Sequence, residues 1–175
     1  NPHFLFNTLN NLYYLATEKS EKAPTAILQL SEMLDYAMHT GKYEMVPMEA
    51  ELKQVKNYIG LELLRYEDRV QVDTTVTGEL EDAKIGPMIL ITLIENAFKH
   101  GVMKVAGKSW INLTIDSNAE RTMISIRNSW KNEASGNGIG LHNLRGQLDL
   151  LYGNNYELLI GVDKPGEFSV NLSIN

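Results

Sequence analysis

An α+β fold, with a helical hairpin leading into a layered α/β sandwich, is what this sequence predicts. Apolar residues recur at helical spacing over the first 40 positions, and the period then switches to two near Val70. From there strands and helices mix without the strict alternation that a doubly wound sheet requires. A chain of 175 residues holds one ordinary domain, or one domain and a small helical appendage.

Leu5, Leu9, Leu12 and Ala16 stand at i, i+4, i+7 and i+11, one face of a first helix. Ser20 to Pro24 interrupts the pattern, and Pro24 suits a first helical turn. Ile27, Leu30, Leu34, Ala37 and Met38 then repeat at helical spacing and stop near Gly41. Two such helices make a hairpin, and one this small needs a partner surface for its apolar stripe. Tyr43 to Pro47 reads as a connector. A third helix runs from about Met48 to Tyr66, with Leu52, Val55, Ile59 and Leu63 on one side and its charges on the other. Val70, Val72, Thr74 and Val76 alternate as a half-buried strand. Pro87 opens a fourth helix reaching about Gly101. Ile111, Leu113 and Ile115, then Met123 to Ile126, form two strands. A polar loop, Ser129 to Asn137, precedes a helix from Ile139 to Tyr152. The chain closes on strands near Tyr156–Val162 and Phe168–Ile174 about the turn Lys164-Pro165-Gly166.

Cysteine is absent, which excludes disulfides, thiolate zinc sites and cysteine nucleophiles and fits a reducing compartment. The formal charge of −6 offers no basic surplus to a nucleic acid. The longest apolar run, Ile85 to Ile94, is far short of the roughly 20 residues of a membrane span. The chain opens Asn1-Pro2-His3, with no initiator Met and no signal-peptide pattern, so it reads as a piece of a longer protein.

Three segments carry chemistry. On the first helix His3 falls roughly 150° from the apolar face, on the side of Asn7, Asn10 and Tyr14. A solvated surface histidine fits that position. So does a nucleophile, because neutral imidazole is available near pH 7. No pair of histidines has metal-ligand spacing. The second segment is Pro87 to Gly101, where Leu90, Leu93, Ile94 and Ala97 share one face and Thr92, Glu95, Asn96 and Lys99 the other. Asn is a poor mid-helix residue. The polar face is either a solvated Glu95–Lys99 pair or a site where Asn and Glu oxygens hold Mg²⁺ and Lys99 meets a phosphate. The third is Gly136-Asn-Gly-Ile-Gly140, either a flexible loop with a glycine helix start or a site where alternate glycines let backbone approach a phosphate. No Gly-Lys-Ser/Thr follows, so it is not a Walker loop.

The three occur together and in order. Asn1-Pro-His-Phe-Leu-Phe-Asn-Thr-Leu-Asn10, Leu93-Ile-Glu-Asn-Ala-Phe-Lys-His-Gly101 and Gly138-Ile-Gly-Leu-His-Asn-Leu144 closely resemble the H, N and G boxes of LytS/YehU-type sensor histidine kinases. Tyr58-Ile-Gly-Leu-Glu-Leu-Leu-Arg-Tyr66 is similar to that family's linking helix, and the likeness spans essentially the whole chain.

The resemblance implies a GHKL ATP-binding fold, a two-layer sandwich with a mixed sheet covered on one face by helices. It divides the chain into residues 1–43, a dimerisation and phosphoacceptor hairpin, and residues 44–175, the ATP-binding domain. His3 would be the phosphoacceptor, Glu95 would position or activate the nucleophile, and Asn7, one turn after His3, leaves a phosphatase activity open. Asn96 would hold Mg²⁺. Lys99, His100, Gly136, Gly138, Gly140 and Leu141 would bind ATP, and residues 129–137 would form its lid. Asn128 stands where related domains carry an Asp that accepts from the adenine amino group. Phe4 stands where many histidine kinases carry an acid, and Gln147 where the family has Arg. The implied function is autophosphorylation on His3 and transfer to a response-regulator aspartate. The alternative is a catalytically weak ATP-binding signalling module acting by conformation. Implied partners are a second copy through the hairpin and a response regulator, with no nucleic acid. The implied setting is the cytoplasmic domain of an inner-membrane protein anchored by an upstream segment.

Overall fold

The computed structural model describes residues 2–131 and 139–175. In chain order the elements are α1 (Pro2–Thr17), α2 (Lys22–Thr40), β1 (Val46–Pro47), α3 (Met48–Tyr66), β2 (Val70–Gly78), β3 (Lys84–Ile85), α4 (Ile89–His100), β4 (Ser109–Ser117), β5 (Thr122–Ser129), α5 (Ile139–Tyr152), β6 (Tyr156–Lys164) and β7 (Glu167–Ile174).

Five strands form one mixed sheet in the order β2-β4-β5-β7-β6, with β2 and β4 parallel and every other pair antiparallel. The alternation read from the sequence sets its two faces. Ile111, Leu113 and Ile115 of β4 share one face with Ile124 and Ile126 of β5 and Val170 and Leu172 of β7, all buried. Leu113 lies opposite Ile126, which lies opposite Val170, so the apolar row runs unbroken across three strands. Against this face pack Val55 of α3, Leu90, Leu93, Ile94 and Ala97 of α4, and Leu144 and Leu148 of α5. Each such fully buried aliphatic side chain stabilises the fold by about 1.5–3 kcal/mol. The opposite face keeps Thr114, Asp116 and Met123 exposed. This is the expected sandwich with a mixed sheet.

Several local expectations are corrected. The connector Tyr43 to Pro47 ends in β1, which pairs antiparallel with β3 through Val46↔Ile85. Pro87 does not start α4; the helix begins two residues later, after Met88 takes a left-handed conformation at φ 64°. In the edge strand β2 only Val70 is buried and Val72 half-buried, while Thr74 and Val76 are exposed.

The hairpin turns only part of each predicted stripe inward. Leu12, Ala26 and Leu30 form a cluster with Leu61 of α3, and Phe4, Leu5, Leu15 and Met33 pack around it. Leu9, at 51% exposure, and Met38, at 75%, face outward with Ile27 and Leu34. Thr8 and Ala23 of the hairpin are buried as well. Polar ties join the same surfaces: Glu32 of α2 accepts from Lys53 Nζ at 3.0 Å and from Asn57 Nδ2 at 2.9 Å.

Candidate functional site

Helix α4 carries the polar motif, and its start is fixed from two sides. Gln147 Nε2 of α5 donates to the Pro87 carbonyl at 2.9 Å, and the Tyr152 hydroxyl accepts from the Gly86 N–H at 2.8 Å. From the other side Glu51 of α3 reaches the first turn, accepting from the N–H of Met88 at 2.7 Å and of Leu90 at 3.1 Å. Burial pushes the Glu51 carboxyl up, while hydrogen bonds from Tyr36 and the α4 amides pull it the other way. Leu90, Leu93, Ile94 and Ala97 are buried as expected. On the other face Lys99 is exposed, Glu95 is half-buried, and Asn96 is only 7% exposed.

The C-terminal end of α4 meets the end of β5. Asn128 is 2% exposed and two residues beyond Ile126, so it is the last inward position of the strand. Its Nδ2 donates to the Ser129 carbonyl at 2.8 Å, and the other end of the amide is an acceptor oxygen. Gly101 lies against it: a Cβ there would sit 2.1 Å from Asn128 Nδ2. His100, the residue before, is half-buried. Burial lowers its pKa, and the positive charges of Lys99 and Lys104 lower it further. Asn96, Lys99, His100 and Asn128 are thus gathered about one end of α4.

His3 is exposed on the first turn of α1, with Asn7 Nδ2 3.1 Å from its Nδ1 and 3.4 Å from its Nε2. The next residue, Phe4, stacks on Tyr58 of α3 at 4.6 Å between centroids, and Tyr58 stands edge-on to Phe98 of α4 at 5.8 Å. Tyr58 donates to Glu62 Oε1 at 3.2 Å, and Arg65 Nη1 donates to Glu62 Oε2 at 3.2 Å. Burial raises the Tyr58 and Glu62 pKa values, and the charge of Glu95 raises both further. The sequence reading missed Glu51, Tyr58 and Glu62, because it assigned the charges of α3 to a solvated side. The signal was present: residues 48, 51, 55, 58, 62 and 66 follow one helical stripe, and two of them are Glu.

Gly136 and Gly138 lie outside the described residues, as does most of the expected lid; only Ser129, Trp130 and Lys131 of it are described. Gly140 falls in the first turn of α5. Leu141 is half-buried against the main core. Among the described residues no three His, Asp or Glu side chains converge as a metal cage. A magnesium ion would therefore rest on one or two protein oxygens and on phosphate, which is how that ion is commonly held and which the Asn96 amide suits.

A family model described as "Histidine kinase" matches residues 1–70, the hairpin and α3. The sensor histidine kinase YpdA of Escherichia coli K12 is 31% identical over 165 residues, covering 87% of this chain. The chain is thus similar to sensor histidine kinases along most of its length. It spans 29% of the length of YpdA. Two solved kinases share the fold of this chain. ShkA, solved full-length with AMPPNP, superposes with a TM-score of 0.55 over 93% of this chain and 38% of its own, at 15% identity. ThkA, solved with the response regulator TrrA, gives 0.52 over 99% of this chain and 59% of its own, at 13% identity. The H-, N- and G-box resemblance is borne out at the level of family and fold.

Proposed function

We propose that this chain is the phosphoacceptor and ATP-binding part of a sensor histidine kinase, with residues 1–43 as the phosphoacceptor hairpin and 44–175 as the ATP-binding domain. The observation that carries the reading is the aromatic run Phe4–Tyr58–Phe98, which ties the helix bearing His3 to the helix bearing Glu95, Asn96, Lys99 and His100. His3 is the nucleophile: a ring nitrogen bonds to the γ-phosphorus as the bond to ADP breaks, and the ring proton is released. Glu95 orients the imidazole. Lys99 offsets the triphosphate charge, His100 donates a ring N–H to a phosphate oxygen, and the Asn128 oxygen accepts from the adenine amino group. Bound Mg²⁺, held through Asn96, adds charge neutralisation at the phosphates, which dominates phosphoryl transfer.

The family supports a response regulator as the acceptor of the phosphoryl group, the partner seen with ThkA. The outward stripe of Leu9, Ile27, Leu34 and Met38 supports a second copy of the hairpin as its cover. Among the described residues no helix is long and apolar enough to cross a membrane. The membrane anchor expected of a sensor kinase would be supplied by a segment outside this chain.

One observation favours a second reading, a module that binds ATP weakly and signals by shape: Gln147, where the family has Arg, is engaged with the Pro87 carbonyl. Calorimetry separates the two. The kinase reading expects Mg-ATP to bind and Asn96→Ala to abolish binding, and it fails if the wild-type chain shows none. In the full-length protein, γ-phosphate label transfers to His3; label retained by His3→Gln would refute that assignment.

A further inference from the structure

We propose that Glu51 is a positioning residue for α4, and that the Tyr36 hydroxyl makes this positioning depend on where the hairpin sits. The inference rests on reading α4 as the nucleotide-binding helix. Glu51 is 0% exposed, a carboxylate wholly inside the protein. Its Oε1 accepts from the Tyr36 hydroxyl at 2.7 Å and from the Met88 N–H at 2.7 Å, and its Oε2 accepts from the Leu90 N–H at 3.1 Å. One side chain therefore joins α2, α3 and the start of α4.

The first N–H groups of a helix have no partner within it, and a nearby carboxylate both accepts from them and complements the helix dipole. Usually a Ser, Thr, Asp or Asn at the cap position does this. Here that position is Met88, which makes no side-chain cap. Met88 is also held at φ 64°, a left-handed conformation that a residue with a Cβ adopts only when its surroundings impose it. The cap is delegated to a residue 37 positions earlier, on a different helix. The oxygen that accepts from the Met88 N–H is the same one that accepts from the Tyr36 hydroxyl, so the hairpin and α4 share an acceptor.

Helix α4 is a single unbroken helix of twelve residues. A tilt at its capped end displaces Asn96, Lys99 and His100 at the other. From α5, Gln147 and Tyr152 hold Pro87 and Gly86. Glu51 supplies the restraint from the hairpin side. When the hairpin moves and Tyr36 leaves, Oε1 loses a donor inside a dry interior, and the geometry it imposes on Met88 and Leu90 relaxes.

The test uses Tyr36→Phe and Glu51→Gln, which preserve shape. Steady-state autophosphorylation of the full-length protein is measured against ATP, with amide hydrogen exchange across residues 88–91. Tyr36→Phe should raise KM for ATP about three- to tenfold with kcat little changed, and Glu51→Gln should raise KM further. Exchange at 88–91 should quicken in both. A purely structural role would instead lower the folded fraction, cutting kcat at constant KM. Constant KM and unchanged exchange in both variants overturn the proposal. Exchange that quickens in a protein whose wild type binds no Mg-ATP leaves the tie to the hairpin standing and overturns the nucleotide reading of α4, and the positioning role with it.

Discussion

Phe4 stacks on Tyr58 with ring centroids 4.6 Å apart and planes inclined by 27°. The residue after His3, where many histidine kinases place an acid, is thus a docking group on α3. An aromatic pair of this kind contributes about 0.5–1.5 kcal/mol beyond its burial. Phe4→Ala should leave Mg-ATP affinity of the chain unchanged and reduce autophosphorylation of the full-length protein several-fold, whereas Phe4→Tyr should retain it. Equal activity of Phe4→Ala and wild type would show that the docking is incidental.

Gly101 allows the close approach of α4 and β5. An alanine Cβ would fall 2.1 Å from Asn128 Nδ2, 2.5 Å from the Ala97 oxygen and 2.7 Å from the Ser129 oxygen. Two of these are backbone atoms that cannot swing aside, so Gly101→Ala should destabilise by about 1–3 kcal/mol in urea unfolding. Gly146, inside α5, has nothing within 4 Å of such a Cβ. Gly146→Ala should instead stabilise, by about 0.5–1 kcal/mol.

Asn128→Asp separates the two ends of that amide. The substitution supplies the charged acceptor common in related domains, but it removes the donor to the Ser129 carbonyl and sets two oxygens against each other. Because Asn128 is buried, the loss should dominate, at about 1–3 kcal/mol of unfolding free energy. Thermal melting with and without Mg-ATP tests this; an unliganded Asp variant as stable as wild type would refute it.

His100 gives a pH dependence of definite sign. Its pKa is lowered in the folded chain by burial and then by Lys99 and Lys104, so the unfolded chain binds the proton more readily. The stability it confers is complete above the unfolded value of about 6.5 and is lost as pH falls from there through the folded value. His100→Gln should flatten the stability curve over that interval, as read by urea midpoints at successive pH values. An unchanged slope would exclude His100 as its source.

The outward stripe of the hairpin predicts an assembly effect. Ile27→Glu with Leu34→Glu changes two exposed positions, so the fold should persist with a thermal midpoint within a few degrees of wild type. Sedimentation of the full-length protein should shift from dimer to monomer. A variant that remains dimeric locates the interface elsewhere.

The family and much of the framework are legible in the amino-acid order. Both α3 and α5 fall on the spans their periodicity predicts, the inward residues of β4 and β5 are the alternating ones, and the apolar face of α4 is the one expected. All of these depend on spacing within one element, which local sequence carries completely. Partners distant in the chain decided the rest. Which hairpin residues turn inward is decided by contact with α3, where Leu12, Ala26 and Leu30 cluster with Leu61. Glu51 and Glu62 are interior because Tyr36, Tyr58, Arg65 and the α4 amides satisfy them there. Asn128 faces inward because β5 ends beside Gly101. A charged or amide side chain is buried only where its hydrogen-bond partners converge, and only the tertiary structure brings those partners together.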